Sequence, residues 1–371
     1  MRLSRRESLA GAGALVLASA LPTRAAGDWV AGRPEDLGFA ADLAERIDGL
    51  ARGRNVHGVL VVRDGRIAAE RYFEGTDQSW GRDLGRVAFG PGTLHDLRSV
   101  SKSIVGLLYG AALTEGKVPG PDERLHDHFP EYPDLVAEPE RRRIKIRHVL
   151  TMTMGTDWNE SVPYTSPANS EIAMEMAPDR IRFILERPIV GEPGLRWTYS
   201  GGATALLGRL VEKGTGRNLG EYARMALFDP LGIGPTEWRG GRDGPSAASG
   251  LRMTPRDLAR IGRLILDGGL HDGRRIVSPD WLEDSFRSHA VSSIGGYGYQ
   301  WYGGNFPVGA ETTTRDEAWI GAFGNGGQRL FVVPGIRLII VVTAGNYNEP
   351  GQAQAPIAIV RNAILPSLRL G

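Results

Sequence analysis

The sequence contains no cysteine among its 371 residues. That absence excludes thiol nucleophiles, disulfide cross-links and cysteine-ligated metal ions. Lysine is also scarce, with four residues, whereas arginine is abundant. A chemical function that needs a lysine therefore depends on one of very few positions.

The sequence has neither a strong net charge nor a long apolar run that would indicate a macromolecular partner. The formal net charge is +1, and the arginines are scattered, so no surface for nucleic acid or an anionic membrane is expected. The apolar run at residues 338–342 is far too short to cross a bilayer and is typical of a buried strand. The remaining expectation is a small-molecule partner.

The first 26 residues have the pattern of an export signal. A basic start that includes Ser4-Arg5-Arg6 precedes an apolar run at residues 9–18, which is too short and too rich in alanine and glycine for a spanning helix. Residues 4–9 resemble the twin-arginine motif. An amphipathic helix is the alternative, but no polar face follows Arg6. We expect a signal peptide over residues 1–26 and a periplasmic or secreted domain over 27–371, with no membrane span after signal removal.

Ser99 and Lys102 stand at the start of a long apolar stretch, residues 100–113. Because this stretch is apolar nearly all the way round, it predicts a central, buried helix. Residues three apart share a helix face, so Lys102 can reach the Ser99 hydroxyl. Burial and the helix N-terminus both disfavour an ammonium, which predicts a partly neutral lysine that activates a serine nucleophile. The alternative is a serine N-cap with a snorkelling lysine.

The rest of the chain predicts a mixed α/β (α+β) fold, an antiparallel sheet flanked by helices. Residues 58–73 indicate a hairpin that turns at Asp64-Gly65, and a polar loop is expected at residues 75–92. Further strand patterns lie at residues 296–302, 328–334 and 337–344. Helical spacing occurs at residues 40–51, 177–185, 203–213, 254–268 and 279–286. A sheet lobe would comprise residues 40–113 and 240–371, with a mostly helical lobe inserted at 114–239.

Two further stretches suit a serine nucleophile. Tyr199 lies in a tight loop before a predicted helix, where a phenol can relay a proton; a tyrosine that merely seals the lobe is the alternative. Residues 321–328 are rich in glycine, so their backbone N–H groups can bind a developing oxyanion. A bulged turn is the alternative. The loop lacks the Lys-Ser or Lys-Thr and the following helix of a phosphate loop.

In their order along the chain, Ser99-x-x-Lys102, Tyr199 and the glycine-rich loop resemble the serine β-lactamase and penicillin-binding-protein-like superfamily. Within it, the pattern is most similar to class C-like serine hydrolases and 6-aminohexanoate-dimer hydrolase-type esterases and amidases. The resemblance implies Ser99 as nucleophile, Lys102 as its activating base and Tyr199 as a second proton-relay group; which of the last two is the working base stays open. It also implies an oxyanion hole from the backbone amides of Ser99 and Asn325, and an acyl-enzyme reaction without metal or cofactor.

Two departures from this pattern bear on the substrate. Lactam-recognising relatives carry Tyr-x-Asn and Lys-Thr-Gly or His-Thr-Gly, where this chain has Tyr199-Ser200-Gly201 and Ala322-Phe323-Gly324. The missing amide and cation favour a small neutral ester or amide over penicillins. Candidates for the substrate pocket are Trp158, Tyr164, Phe323 and Gly324, with core packing as the alternative for Trp158.

Two other functions stay open at this point. One is a β-lactamase or D-amino-acid peptidase, which acylation by a labelled penicillin would favour. The other is a catalytically silent ligand-binding domain, against which the joint presence of Ser99, Lys102 and Tyr199 argues. His126-Asp127-His128 has no third ligand nearby in the sequence, so we interpret it as a solvated loop and expect no metal site there.

Overall fold

The computed structural model describes residues 29–242, 244–309 and 314–369. The predicted export signal, residues 1–26, lies outside the described residues. Within the described ranges, no helix has both the length and the apolar character needed to cross a membrane.

The strands follow one another along the chain as β1 (Val30–Ala31), β2 (Val56–Arg63), β3 (Arg66–Tyr72), β4 (Glu74–Ser79), β5 (Arg82–Ala88), β6 (His95–Asp96), β7 (Glu237–Trp238), β8 (Gly240–Gly241), β9 (Gly244–Pro245), β10 (Leu251–Met253), β11 (Leu270–His271), β12 (Arg274–Arg275), β13 (Ala290–Ser292), β14 (Gly295–Tyr297), β15 (Tyr302–Val308), β16 (Arg315–Gly324), β17 (Gln328–Val333) and β18 (Leu338–Ala344).

The α-helices are α1 (Leu43–Ala51), α2 (Val100–Thr114), α3 (Pro133–Val136), α4 (Ile146–Leu150), α5 (Ser170–Met176), α6 (Arg180–Leu185), α7 (Gly201–Thr215), α8 (Leu219–Ala223), α9 (Pro255–Leu266), α10 (Pro279–Phe286), α11 (Gln354–Ala358) and α12 (Leu365–Ser367). Short 3₁₀ helices lie at Pro34–Leu37, Leu125–His128, Arg141–Arg143 and Pro334–Ile336, and π-helical turns at Arg224–Phe228 and Ile359–Ile364.

One large sheet joins the two ends of the chain, as the sequence predicts. Its strand order is β1-β3-β2-β18-β17-β16-β15-β14-β13, and every pairing except that of β1 with β3 is antiparallel. The hairpin β2–β3 turns at Asp64 and Gly65, both in the left-handed region with φ of 49° and 75°. Such a turn matches the twist of the paired strands. The predicted fold class is confirmed, while the division into two lobes stays a prediction.

The sheet is covered on both faces, which its side-chain alternation explains. In β2, Leu60 and Val62 belong to one apolar cluster, and Val59 and Val61 belong to the other. Successive strand residues point to opposite faces, so an uninterrupted apolar strand needs two covering layers. Helices α2, α7 and α9 contribute to the first layer. Helix α1 and the helical segment at residues 354–367 form the second.

Helix α2 lies at the centre of the first layer. All residues from 100 to 112 are buried, and the helix contacts α7 as well as β16 and β17. The predicted central helix is therefore confirmed. Its first turn, which carries Lys102, is removed from water.

Several predicted elements are wrong. Residues 75–92 are not a loop: β4 and β5 pair as a hairpin that turns at Trp80-Gly81. The exposed, polar β5 lacks the apolar alternation that would have revealed it. The strand predicted at 296–302 is interrupted, because Gln300 adopts a φ of 68° between β14 and β15. Helix α5 and strand β16 were not predicted, and His126 is buried rather than solvated.

Candidate active site

Ser99 immediately precedes α2 and lies at the wall of a cavity of about 550 Å³. The residue before it, Arg98, has a φ of 49°. For a residue other than glycine, this left-handed conformation costs free energy, and it is often found at functional sites. The turn leaves the serine half-buried, with its side chain at the cavity rather than inside the helix.

The Lys102 ammonium donates hydrogen bonds to three acceptors. Its Nζ donates to Ser99 Oγ at 3.1 Å, to Glu171 Oε2 at 3.1 Å and to the backbone oxygen of Ala248 at 2.8 Å. The predicted contact between serine and lysine is thus present. An ammonium has three donors, and all three are used.

The expectation of a partly neutral lysine is wrong for this site. Burial acts to lower the pKa of Lys102, but the neighbouring Glu171 carboxylate, with Tyr199 and Glu160, raises it above its ordinary value. An opposite charge within about 4 Å favours the charged form. Lys102 is therefore an ammonium ion in the resting site.

Tyr199 lies beside the same pair. Its loop ends at Ser200, whose side chain accepts from Ala203 N–H and caps α7. The ammonium of Lys102 lies 5.0 Å from the centre of the Tyr199 ring. Burial raises the pKa of the phenol, while Lys102 and a hydrogen bond with Ser99 act to lower it. The structure thus brings Ser99, Lys102 and Tyr199 together.

Two glutamates complete the site, and sequence reasoning missed both. Glu171 lies on α5, whose N-cap Asn169 accepts from the Glu171 N–H. The Glu160 carboxylate accepts from Trp158 Nε1 at 2.6 Å, from Gly201 N–H at 2.5 Å and from Tyr164 Oη at 2.8 Å. The Asn-x-Glu cap was the one local signal for α5.

The two carboxylates influence each other. Burial, followed by the charge of Glu171, raises the pKa of Glu160 to about 7. Lys102 opposes this shift but is shared with Glu171, its direct partner. Two carboxyl groups in one buried site cannot both ionise without a cost in free energy. Here that cost appears as the raised pKa of Glu160.

The raised pKa of Glu160 predicts a pH-dependent loss of stability. A carboxyl whose pKa is higher in the folded chain than in the unfolded chain favours folding while it is protonated. This contribution to the unfolding free energy is lost as the pH rises from 4.5, the ordinary pKa of the carboxyl, to about 7, its pKa in the folded chain. At 1.36 kcal/mol per unit, the wild type should lose up to about 3 kcal/mol of unfolding free energy between pH 4.5 and 7.5, relative to Glu160→Gln. Urea unfolding of both proteins at pH 5.0 and 7.5 measures this difference.

Glu283 on the exposed side of α10 provides the matched control. Glu283→Gln should keep the same pH dependence as the wild type, because the replaced carboxyl is in water. Equal pH dependence in Glu160→Gln and Glu283→Gln would contradict the assigned shift.

Ser99 and Asn325, whose backbone amides form the predicted oxyanion hole, both belong to the wall of the cavity. Asn325 lies in the turn between β16 and β17, and both residues line the cavity. Gly324, just before it, packs against the backbone oxygen of Leu97 near the start of α2. Neither amide has an acceptor within the described ranges. Two free N–H groups at one cavity can serve as an oxyanion hole.

The cavity differs from the predicted pocket in several of its walls. Tyr164 lines it, but Trp158, Phe323 and Gly324 do not. Trp158 packs in the core against Phe183 and donates to Glu160, and Phe323 stacks on Tyr302 behind the sheet. The described residues of the wall are Gln78, Trp80, Gly81, Arg98, Ser99, Tyr164, Thr165, Glu171, Ile172, Glu175, Met176, Gly241, Ser249, Asn325 and Asn348.

Comparison with known proteins agrees with this geometry. The beta-lactamase family model matches residues 39–363. A 6-aminohexanoate-dimer hydrolase of Paenarthrobacter ureafaciens is 27% identical over 311 residues, which cover 76% of this chain and 70% of that protein. A lovastatin esterase of Penicillium rubens is 27% identical over 140 residues, covering 36% of this chain and 33% of the esterase.

Two solved structures share the fold. EstCE1, a hydrolase with promiscuous acyltransferase activity, superposes with a TM-score of 0.67 at 19% identity, covering 87% of this chain and 98% of its own. A penicillin-binding-protein homologue from Caulobacter crescentus gives a TM-score of 0.65 at 16% identity, covering 91% and 99%. At these identities, the structures establish the architecture alone.

Proposed function

The chain belongs to the beta-lactamase family and is a serine hydrolase of ester or amide substrates, and from that premise we propose that it cleaves a small neutral ester or amide through an acyl-enzyme on Ser99. The observation that carries the proposal is that Ser99 Oγ, at the wall of the cavity, accepts from the Lys102 ammonium at 3.1 Å, and that this ammonium lies 5.0 Å from the centre of the Tyr199 ring. A serine hydroxyl becomes a nucleophile only when a neighbouring group accepts its proton.

Tyr199 is the proposed proton acceptor, because Lys102 is held as a cation by Glu171. The Tyr199 phenolate takes the serine proton while Ser99 Oγ bonds to the substrate carbonyl carbon. The same proton then passes to the leaving alcohol or amine as its bond to carbon breaks. Lys102 stabilises both anions in turn. Since burial raises the pKa of Tyr199 above its ordinary value, the population of the reactive phenolate increases with pH.

The backbone N–H groups of Ser99 and Asn325 are the proposed oxyanion hole. Neither donor has an acceptor in the part of the chain that the structure describes, and both residues line the cavity, which suits them to the negative oxygen of a tetrahedral intermediate. Preorganised donors of this kind need no rearrangement during the reaction.

The walls of the cavity support a neutral substrate. Its charged residues are Arg98, Glu171 and Glu175, and Arg98 is already paired with Asp96 at 3.2 Å. The described residues of the wall therefore include no unpaired cation that could bind a substrate carboxylate. Gly201 packs against the Glu171 carboxylate, so an asparagine side chain has no room there. Ile172 and the largely exposed Met176 add an apolar surface for an acyl group.

Covalent labelling tests the proposal directly. Intact mass spectrometry after incubation with a fluorophosphonate should show one adduct, and peptide mapping should place it on Ser99. Turnover of p-nitrophenyl butyrate should exceed turnover of nitrocefin by at least about 100-fold, because the amide and the cation that recognise lactams are absent. No adduct and no turnover would contradict the hydrolase assignment, while preferred nitrocefin turnover would favour the β-lactamase alternative.

The same spectra test the proposed export. Residues 1–26 are proposed to direct export of the chain, to the periplasm or out of the cell, as their composition suggests. Protein recovered from a periplasmic fraction should then have the mass of a chain that starts near residue 27. A full-length mass in that fraction would contradict signal removal.

A further inference from the structure

The two proposed oxyanion-hole amides come from separate parts of the fold, the start of α2 and the turn after β16. Their spacing therefore depends on whatever connects Arg98 and Ser99 to Asn325. The buried side chain of Tyr347, three residues beyond β18, lies between these two segments.

On one side, Tyr347 contacts the turn that carries Asn325. A Cβ on Gly326, whose φ is 89°, would lie 2.4 Å from Cδ1 of the Tyr347 ring. A side chain at this position would collide with the ring. The next residue along, Asn348, fixes Asn325 through two bonds: Asn325 Nδ2 donates to Asn348 Oδ1 at 2.9 Å, and Asn348 N–H donates to Asn325 Oδ1 at 2.8 Å.

On the other side, Tyr347 contacts the residue before the nucleophile. The Arg98 guanidinium lies 4.6 Å from the centre of the ring, a favourable cation–π distance. Arg98 is also held by Asp96 at 3.2 Å and donates to Gln78 Oε1 at 3.1 Å. The side chain of Arg98, whose backbone φ is 49°, thus lies over the Tyr347 ring.

The hydroxyl of Tyr347 fixes the ring in this position. It donates to Asp77 Oδ1 at 2.8 Å, and Asp77 is buried at 1% exposure. Asp77 in turn lies 3.9 Å from His95 Nε2 and 3.8 Å from an Arg252 guanidinium nitrogen. A buried phenol without this acceptor would leave its hydroxyl unpaired and its ring free to shift.

His57, Asp77 and His95 are close enough to raise the question of a metal ion. His57 Nδ1 and His95 Nε2, however, lie 2.7 Å apart. Two nitrogens on one tetrahedral zinc ion keep about 3.3 Å between them, given Zn–N bonds of about 2.0 Å. The observed contact is that of an imidazole–imidazole hydrogen bond. The cluster is therefore assigned as a polar anchor for Asp77.

We propose that Tyr347, anchored on Asp77, is a positioning residue that sets the spacing of the Ser99 and Asn325 amides in the oxyanion hole. This inference rests on the proposed acyl-enzyme function. Tyr347 touches neither substrate nor nucleophile; it acts through Arg98 on one side and through Gly326 and Asn348 on the other.

Tyr347→Phe removes the hydroxyl and keeps the ring, so it tests the anchor alone. With p-nitrophenyl butyrate, kcat should fall about 10- to 100-fold while KM changes less than threefold, because displaced donors weaken the transition state more than the bound ester. Affinity for a phenylboronic acid, which places a tetrahedral adduct in the same hole, should fall by a similar factor. Tyr222→Phe is the matched control: Tyr222 is also buried and donates to Glu115 at 3.3 Å, away from the site. It should keep kcat within twofold.

A lowered melting temperature with unchanged kcat and boronate affinity in Tyr347→Phe would overturn the proposal and leave a purely structural tyrosine. An equal loss in Tyr222→Phe would also overturn it, since any buried hydroxyl would then have the same effect. Failure of the underlying function looks different: the wild type itself would show no fluorophosphonate adduct on Ser99 and no ester turnover.

Discussion

Replacing Ser99 by alanine is expected to lower kcat/KM for p-nitrophenyl butyrate by at least about 10⁴-fold, because the variant has no oxygen that can attack the carbonyl. The loss should appear without unfolding. Lys102 keeps its bonds to Glu171 and to the Ala248 carbonyl, so the buried charge stays paired. Initial rates, with thermal unfolding of the same samples, measure both quantities.

Ser103 on α2 provides a control of the same chemistry. Its hydroxyl donates to the Gln300 backbone oxygen at 2.6 Å and takes no part in the cavity. Ser103→Ala should keep kcat/KM within about threefold and cost on the order of 1 kcal/mol of unfolding free energy, since a buried carbonyl loses its donor. More than 1% residual activity in Ser99→Ala would place the nucleophile elsewhere.

The contact between Ser99 and Lys102 was predictable because its geometry is local. Ser99 and Lys102 are one helical turn apart, so their contact follows from the helix period alone. The apolar residues of α2 and of the paired strands β2 and β18 likewise carry their own period, and these elements were predicted close to their observed bounds. The local sequence pattern was sufficient to predict an element wherever residues close together in the chain determine its structure.

The charge state of Lys102 was not predictable, since its partner lies 69 residues away in the chain. No periodicity relates Glu171 to α2; the packing of α5 against α6 and α7 brings it there. Trp158 was a candidate for the substrate pocket, with core packing as the alternative. Its indole packs in the core and donates to Glu160, two residues further along the chain. The pKa of a buried group depends on every nearby charge. Because the Glu171 carboxylate was not foreseen, the predicted direction of the Lys102 pKa shift was reversed.

The second large effect is expected from Lys102→Met. The substitution keeps an unbranched side chain of similar length but removes the cation, so kcat/KM should fall at least about 10³-fold. Without the ammonium, the pKa of Tyr199 rises further, and the pH–rate profile should shift toward higher pH. Rates measured between pH 6 and 10 test this shift.

Lys102→Met should also destabilise the fold. It leaves the Glu171 carboxylate buried without its partner, a loss that typically costs about 3–5 kcal/mol. Adding Glu171→Gln removes the unpaired charge, so the double variant should recover most of the unfolding free energy. Urea unfolding of the wild type, both single variants and the double variant gives the coupling between the two side chains.

Activity in the double variant separates the two roles of the lysine. If Lys102 stabilises the serine and tyrosine anions, Lys102→Met/Glu171→Gln stays as inactive as Lys102→Met although its stability returns. If Lys102 serves only to neutralise Glu171, activity returns together with stability. The geometry favours the first result, because Lys102 Nζ contacts Ser99 Oγ and Glu171 Oε2 at the same distance of 3.1 Å. In the proposed mechanism, Glu171 holds the charge in place, and the bond to Ser99 is where that charge would act on the reaction.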